Sequence, residues 1–213
     1  DYEGTNRGTI PSDQDAEDAA EPANGYLWDL VQRKGLTLRN YGEFVVPEGA
    51  NPNAAMPAGY RGVKPFLAAN TNREFPAFDM NITDQRRADI WLAEFQQYVQ
   101  RGAMPALMIV RLPNDHTSGA RAGMPTPHAY MADNDLALGR IVEAVSTSPF
   151  WKNTLIVSLE DDAQNGPDHV DSHRSVLLTI SAYSRRGTVH RFTNTTDVLA
   201  TIEHVLGLDA LSQ

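Results

Sequence analysis

Short apolar runs alternate with segments of helical periodicity in the second half of this chain. Residues 106–110, 154–159 and 176–180 are apolar runs of strand length, a pattern typical of strands buried on both faces. Residues 133–146, and the segment that begins at Thr195, carry apolar residues at helical spacing. This order of strands and helices predicts an α/β sandwich with a mostly parallel sheet.

The first half of the chain predicts fewer regular elements. Residues 26–31 have one apolar face and predict a short helix, and residues 36–46 alternate as in a strand. Thr83 and Asp84 are typical helix-capping residues, and they predict a helix that continues to about residue 100.

One domain accounts for the length of the chain, which is 213 residues. Residues 47–82 are rich in Pro, Gly and Asn, so we expect a loop-rich insert within a single α/β domain spanning residues 1–213. The sequence begins at Asp1 with neither Met nor an apolar leader, and we therefore expect a part of a larger protein.

The composition excludes several classes of function. The chain has 27 acidic residues against 18 Lys and Arg, and its formal charge of −9 opposes a nucleic-acid-binding surface, which requires clustered cations. The absence of Cys excludes disulfides, thiolate nucleophiles and Cys-ligated zinc. No apolar run approaches the ~20 residues of a membrane-spanning helix.

Two loops that follow predicted strands contain the candidate chemistry. The first contains Asp115 and His116, and the second contains acidic, histidine and arginine residues: Glu160, Asp161, Asp162, Asp168, His169, Asp171, His173 and Arg174. Sites in α/β proteins form beyond the carboxyl ends of strands. Carboxylates and neutral imidazoles suit zinc, manganese or iron, and clustered carboxylates need a cation to offset their repulsion. The two loops together therefore predict a divalent metal site.

Each part of this pattern also has a simpler interpretation. Asp115 and His116 alone are typical of an ordinary turn capped by an Asp side chain. Residues 160–162 alone are typical of a solvated acidic turn. His169 and His173 would share one face of a helix, but the Gly and Pro just upstream favour a loop. It is the combination of both loops that indicates a site.

The spacing of these residues resembles that of a known family. The acidic pair Asp161 and Asp162 precedes Asp-His-Val at residues 168–170, and a later strand leads into Ile-Ser-Ala-Tyr-Ser-Arg-Arg-Gly at residues 180–187. This pattern resembles the phosphoesterase family of phospholipase C and acid phosphatase type enzymes, within the alkaline-phosphatase-like superfamily. The resemblance covers nearly the whole chain and implies a three-layer α/β sandwich that is incomplete at its N-terminus.

The resemblance also implies roles for residues of the two loops. It implies a divalent metal ion, with zinc or manganese favoured and iron or calcium also compatible, whose ligands are Asp115, His116, Asp161 and Asp162. His169 and His173 are implied as catalytic groups or further ligands, and Arg174 is a candidate contact for the substrate phosphate. Asp162 stands where many relatives have Glu, which keeps the charge on a shorter side chain.

No segment matches the nucleophile of that family, a Ser or Thr between a strand and a helix. We therefore expect the chain to be the C-terminal part of a larger phosphoesterase that holds only part of the site, its partner being the upstream segment. Residues 1–7 and 24–29 resemble a subgroup often attached to a β-propeller. The family further implies a secreted or periplasmic location.

Together these observations predict metal-dependent hydrolysis of phosphate mono- or diesters by the full-length protein. Two alternatives stay open. One is a noncatalytic metal-binding or interaction domain of the same fold. The other is a transferase that moves a phosphoryl-linked group to an acceptor other than water, which product analysis with an alcohol acceptor distinguishes from a hydrolase.

Overall fold

Helices and strands alternate along the chain in the computed structural model, which describes residues 24–49, 57–161 and 175–211. The helices are α1 (Leu27–Arg33), α2 (Pro65–Asn70), α3 (Asp84–Arg101), α4 (Pro127–Ser146) and α5 (Thr195–Leu206). The strands are β1 (Leu38–Tyr41), β2 (Val45–Glu48), β3 (Gly59–Gly62), β4 (Leu107–Val110), β5 (Leu155–Leu159) and β6 (Leu177–Ser181). The α/β class predicted from the sequence is confirmed.

The chain divides into two compact units. The α3–α4 unit comprises Met80–Met104 and Leu112–Gly187, and it contains α3, α4, β5 and β6. The β1–β4 unit comprises Tyr2–Asp79, Pro105–Arg111 and Thr188–Gln213, and it contains the other helices and strands. The prediction that the whole chain forms one domain stays a prediction.

The β1–β4 unit is built on a parallel strand pair. β1 and β4 lie side by side, with Leu38 opposite Leu107 and Tyr41 opposite Val110. Leu38 belongs to a buried apolar cluster with Trp28, Val31 and Leu67. This cluster joins the first strand to α1 and α2, because burial of their apolar faces stabilises all three elements together.

The prediction of one strand over residues 36–46 is wrong, because the backbone turns between β1 and β2. Gly42 has φ +91, and a Cβ atom there would lie 2.9 Å from both the Phe75 ring and the Pro76 carbonyl oxygen. Only glycine fits such a position without displacement of its neighbours. β2 then pairs antiparallel with β3, so residues 47–82 contain β3 and α2 as well as loops.

The two long helices of the α3–α4 unit begin at side-chain caps. The Thr83 side chain accepts a hydrogen bond from the Arg86 amide, so α3 begins where the sequence predicts. The Thr126 side chain accepts one from the Ala129 amide, and α4 begins six residues before the predicted start at residue 133. Proline at the first position of α4 suits a helix start, because its missing N–H would have no partner there.

β5 and β6 pair antiparallel, with Leu155 opposite Ser181 and Leu159 opposite Leu177. The described strands thus form one parallel and two antiparallel pairs, a smaller parallel share than the apolar runs predict. The residues of β4, β5 and β6 are half-buried or exposed, whereas their apolar runs predict strands buried on both faces. Apolar runs predict strands but not pairing direction, which depends on the connection between them.

Candidate functional site

The first candidate loop is a 3₁₀ turn, Pro113–His116, in the α3–α4 unit. Pro113 and Asn114 are buried, whereas Asp115 is half-buried and His116 is exposed. The first half of the turn is therefore anchored in the unit, and the two residues with candidate chemistry are accessible.

Asn114 is held by carboxylates from both long helices. Its main-chain N–H donates to Oδ2 of Asp84 at 2.9 Å, and its side-chain Nδ2 donates to Oδ2 of Asp133 at 2.6 Å. Asn134 donates from Nδ2 to the same oxygen of Asp84 at 3.0 Å and to the carbonyl of Leu112 at 2.8 Å. The turn is thus tied to the start of α3 and to the first half of α4.

Asp84 carries its charge in a buried environment. Its Oδ1 lies 3.2 Å from Nη1 of Arg87, and neither side chain is exposed to solvent. Burial raises the pKa of Asp84 above its usual value, while the hydrogen bond from the Asn114 amide, the Arg87 charge and the Asn134 amide act in the opposite direction. The interactions that hold the turn also stabilise the ionised carboxylate.

The backbone around His116 sets the position of its ring. Nδ1 lies 3.0 Å from the carbonyl oxygen of Thr117, and the His116 N–H donates to Oδ1 of Asp115 at 3.1 Å. A neutral ring with its proton on Nδ1 has its lone pair on Nε2, the form that binds a metal ion or accepts a proton. Thr117 has φ 55 and ψ 173, a positive-φ conformation that is strained for a β-branched residue.

The start of the second candidate loop is fixed to β6. The Glu160 N–H donates to the carbonyl of Val176 at 3.1 Å, and Oε2 of Glu160 accepts from the Val176 N–H at 3.2 Å. The Ser175 hydroxyl donates to the Glu160 carbonyl at 2.8 Å. Glu160 and the following Asp161 therefore extend directly from the end of β5.

The structure brings the two candidate loops into electrostatic contact. The pKa of Asp115 is raised by its burial first, then by the negative charge of Glu160, and further by that of Asp161, while a hydrogen bond from the His116 amide lowers it. Asp115 of the first loop therefore interacts electrostatically with two acidic residues of the second loop. Clusters of this kind favour a bound cation.

The remaining predicted site residues, Asp162, His169, His173 and Arg174, lie outside the described residues. Within the described part of the chain, no three His, Asp or Glu side chains are grouped so that they could hold a metal ion. The roles given to the two loops as metal ligands and catalytic groups therefore stay predictions.

Sequence reasoning missed the carboxylates and amides that support the turn. Asp84 and Asp133 are both at or near predicted helix starts, where acidic residues are common for local reasons. One available signal was that Asn114 and Asn134 are polar residues adjacent to apolar segments. Their hydrogen bonds join residues that are between 19 and 50 positions apart in the sequence. Hydrophobic periodicity does not predict contacts over such separations.

Comparison with known proteins decides the family. The model of the phosphoesterase family matches residues 2–209. The chain belongs to the phosphoesterase family. This confirms the resemblance drawn from residues 161–187, and the match includes both candidate loops. The chain matches no curated protein and no solved structure.

Membership of the phosphoesterase family indicates hydrolysis of phosphate esters, and members of this family generally depend on metal ions. A membrane-spanning helix is not found among the helices that the structure describes in this phosphoesterase chain.

Proposed function

We propose that this chain takes part in metal-dependent hydrolysis of phosphate mono- or diesters, with Asp115, His116, Asp161 and Asp162 as metal ligands. The observation that supports the proposal most directly is the interaction of Asp115 with Glu160 and Asp161, whose charges add to burial in raising the pKa of Asp115. A divalent cation bound between the loops would offset these charges.

The donor set fits a divalent metal ion in its chemistry. Carboxylate oxygens and one imidazole nitrogen are ligands that zinc and manganese both accept. Asp115 and Asp161 supply charge from two loops, and His116 has a ring whose Nδ1 faces a carbonyl, the usual arrangement of a metal-binding histidine. Asp162, His169 and His173 would complete the set.

The protein's own groups would bind and orient the ester. When bound, the metal ion supplies positive charge that stabilises the phosphoryl oxygens. Arg174 would contact a phosphate oxygen through its planar guanidinium group. His169 or His173 would donate a proton to the leaving oxygen, because an imidazole titrates near neutral pH.

The test is a calorimetric titration of the chain with Mn²⁺ and Zn²⁺, coupled to hydrolysis of p-nitrophenyl phosphate and its bis-ester. We expect Asp115→Asn and the pair Asp161→Asn plus Asp162→Asn to weaken metal binding by about 100-fold or more. The matched control is Asp135→Asn, which removes the same charge from an exposed position on α4. We expect the control to bind and hydrolyse like the unaltered chain.

The outcomes separate the hydrolase from its alternatives. Metal-dependent release of p-nitrophenol that falls in the site variants alone supports the proposal. Metal binding without turnover would instead favour a noncatalytic domain or a site that requires further residues. Formation of a methyl phosphate product in methanol, rather than free phosphate, would favour a transferase. Equal binding by all variants would overturn the assignment of these ligands.

A further inference from the structure

Two carboxylates and two amides converge on the turn that presents Asp115 and His116. We infer that Asp133 is a positioning residue for phosphate-ester hydrolysis, because it holds Asn114 and thereby fixes the turn from which Asp115 and His116 reach the substrate. The inference rests on the proposed function and adds a residue to which the sequence analysis gives no role.

Asp133 is itself fixed at the start of α3. Its Oδ2 accepts a hydrogen bond from the Asp84 N–H at 2.6 Å, and its Oδ1 accepts one from the Gln85 N–H at 3.4 Å. The Gln85 side chain donates back to the Asp133 carbonyl at 2.7 Å. The N–H groups at the start of α3 therefore hold the Asp133 carboxylate in place, as helix N-termini do for acidic side chains.

The Asn114 side chain is oriented by Asp133 rather than by its own burial. The residue is 2% exposed, and its Oδ1 accepts no hydrogen bond from the residues that the structure describes. Reversal of the amide would place that oxygen against the Asp133 carboxylate, which is repulsive. An apolar side chain would fill the position without a buried unpaired oxygen, so filling space does not explain an amide here.

The rest of the turn is held from the same helix. Asn134 binds the Leu112 carbonyl before the turn, and the Ser118 and Tyr130 hydroxyls lie 3.3 Å apart after it. Thr117, between them, has the positive φ of 55. Such a conformation persists only where the surroundings impose it, so the anchors determine the backbone on which His116 lies.

These anchors fix the turn through the residue next to Asp115. Asp133 accepts a hydrogen bond from the Asn114 side chain at 2.6 Å, and Asp84 accepts one from the Asn114 main-chain N–H at 2.9 Å. Preorganisation of this kind increases affinity and rate, because less ordering accompanies binding.

Two variants separate the positioning role from the capping of α3. Asp133→Asn removes one acceptor oxygen and weakens both contacts, whereas Asn114→Ala removes only the contact to the turn and leaves Asp133 on α3. Asp135→Asn is the charge-matched control on an exposed part of the same helix. Each variant is compared with the unaltered chain for hydrogen exchange of residues 112–118, Mn²⁺ affinity, kcat and KM for p-nitrophenyl phosphate, and thermal unfolding.

We expect both Asp133→Asn and Asn114→Ala to exchange faster at residues 112–118, to bind Mn²⁺ about tenfold more weakly and to lose about tenfold in kcat, with a smaller change in KM. The control should match the unaltered chain in all four measurements. Asn114→Ala keeps the contact of Asp133 with the start of α3. If both variants lose the same Mn²⁺ affinity and kcat, the loss therefore comes from the turn and not from the start of α3.

The inference is overturned if the unaltered chain binds Mn²⁺ and hydrolyses the ester while the folded variants keep its exchange rates, affinity and kcat. It is also overturned if activity falls only in proportion to the unfolded fraction. An unaltered chain that neither binds Mn²⁺ nor hydrolyses the ester would overturn the proposed function, and this inference with it. The two failures are therefore distinguishable.

Discussion

Arg87 and Asp84 form an ion pair across one turn of α3, with Nη1 and Oδ1 3.2 Å apart and both side chains fully buried. Nη1 of Arg87 also donates to the carbonyl of Ile82 at 2.6 Å. A buried ion pair is costly to dehydrate, and additional hydrogen bonds are needed to offset that cost. Asp84 receives them from Asn114 and Asn134, which links the pair to the candidate site.

Replacement of Arg87 tests whether the buried Asp84 carboxylate depends on its ion pair. We expect Arg87→Met to reduce the free energy of unfolding by about 3–5 kcal/mol, because it leaves a buried carboxylate without its cation. Urea denaturation followed by circular dichroism measures the loss. Arg86→Met is the matched control, since Arg86 is the neighbouring exposed residue of α3. A similar, small effect in both variants would contradict the prediction.

Asp115 is expected to lower the stability of the fold when it is ionised. Its pKa in the folded chain lies above the usual value of 3.8, so the folded state binds the proton more tightly than the unfolded state. The contribution of this group is therefore favourable below pH 3.8 and is lost as pH rises through the folded-state pKa.

The measurement is thermal unfolding of Asp115→Asn and the unaltered chain in metal-free buffer, from pH 3 to pH 7. We expect Asp115→Asn to have the higher Tm at pH 7 and the difference to disappear at the acidic end. Asp135→Asn controls for net charge. A variant that is less stable than the unaltered chain at pH 7 would contradict the raised pKa as the cause.

Substitution of Gly42 tests whether the turn between β1 and β2 requires glycine. We expect Gly42→Ala to destabilise the fold by about 2–4 kcal/mol, because the new Cβ combines a left-handed backbone with overlap of the Phe75 ring. Gly35→Ala is the control for backbone strain alone, since Gly35 has φ +71 and nothing lies within 4 Å of its Cβ position. That variant should lose about 1 kcal/mol in the same urea titration. Equal losses would exclude the steric contribution.

The helix that the sequence predicts most accurately, α3, is determined by residues that are close together in the sequence. α3 begins at its Thr83 cap and continues to Arg101, close to the predicted end near residue 100, and its buried residues include Trp91 and Phe95. The two rings stack with centroids 4.6 Å apart. A helix cap and the spacing of apolar residues both involve residues within about four positions of one another. The start and the buried face of such a helix can therefore be predicted from local sequence.

The turn at Gly42 and the direction of β6 depend on distant segments. Gly42 has to be glycine because of Phe75, which lies 33 residues later in the sequence. β6 pairs antiparallel with β5, although both have the same apolar pattern as β4, which pairs parallel with β1. An apolar run predicts that a strand forms, whereas its partner and their pairing direction depend on the topology.

For the candidate site, local sequence patterns are enough to predict the family and the two loops that contain acidic and histidine residues. In the structure, Asp115 interacts electrostatically with Glu160 and Asp161, while the roles of these residues stay predictions. The residues that support the turn follow instead from how the helices pack. Asp84, Asp133 and the amides that meet them are brought together by the packing of α3 and α4. Their contacts join positions far apart in the chain, whereas motifs and periodicity report positions that are close.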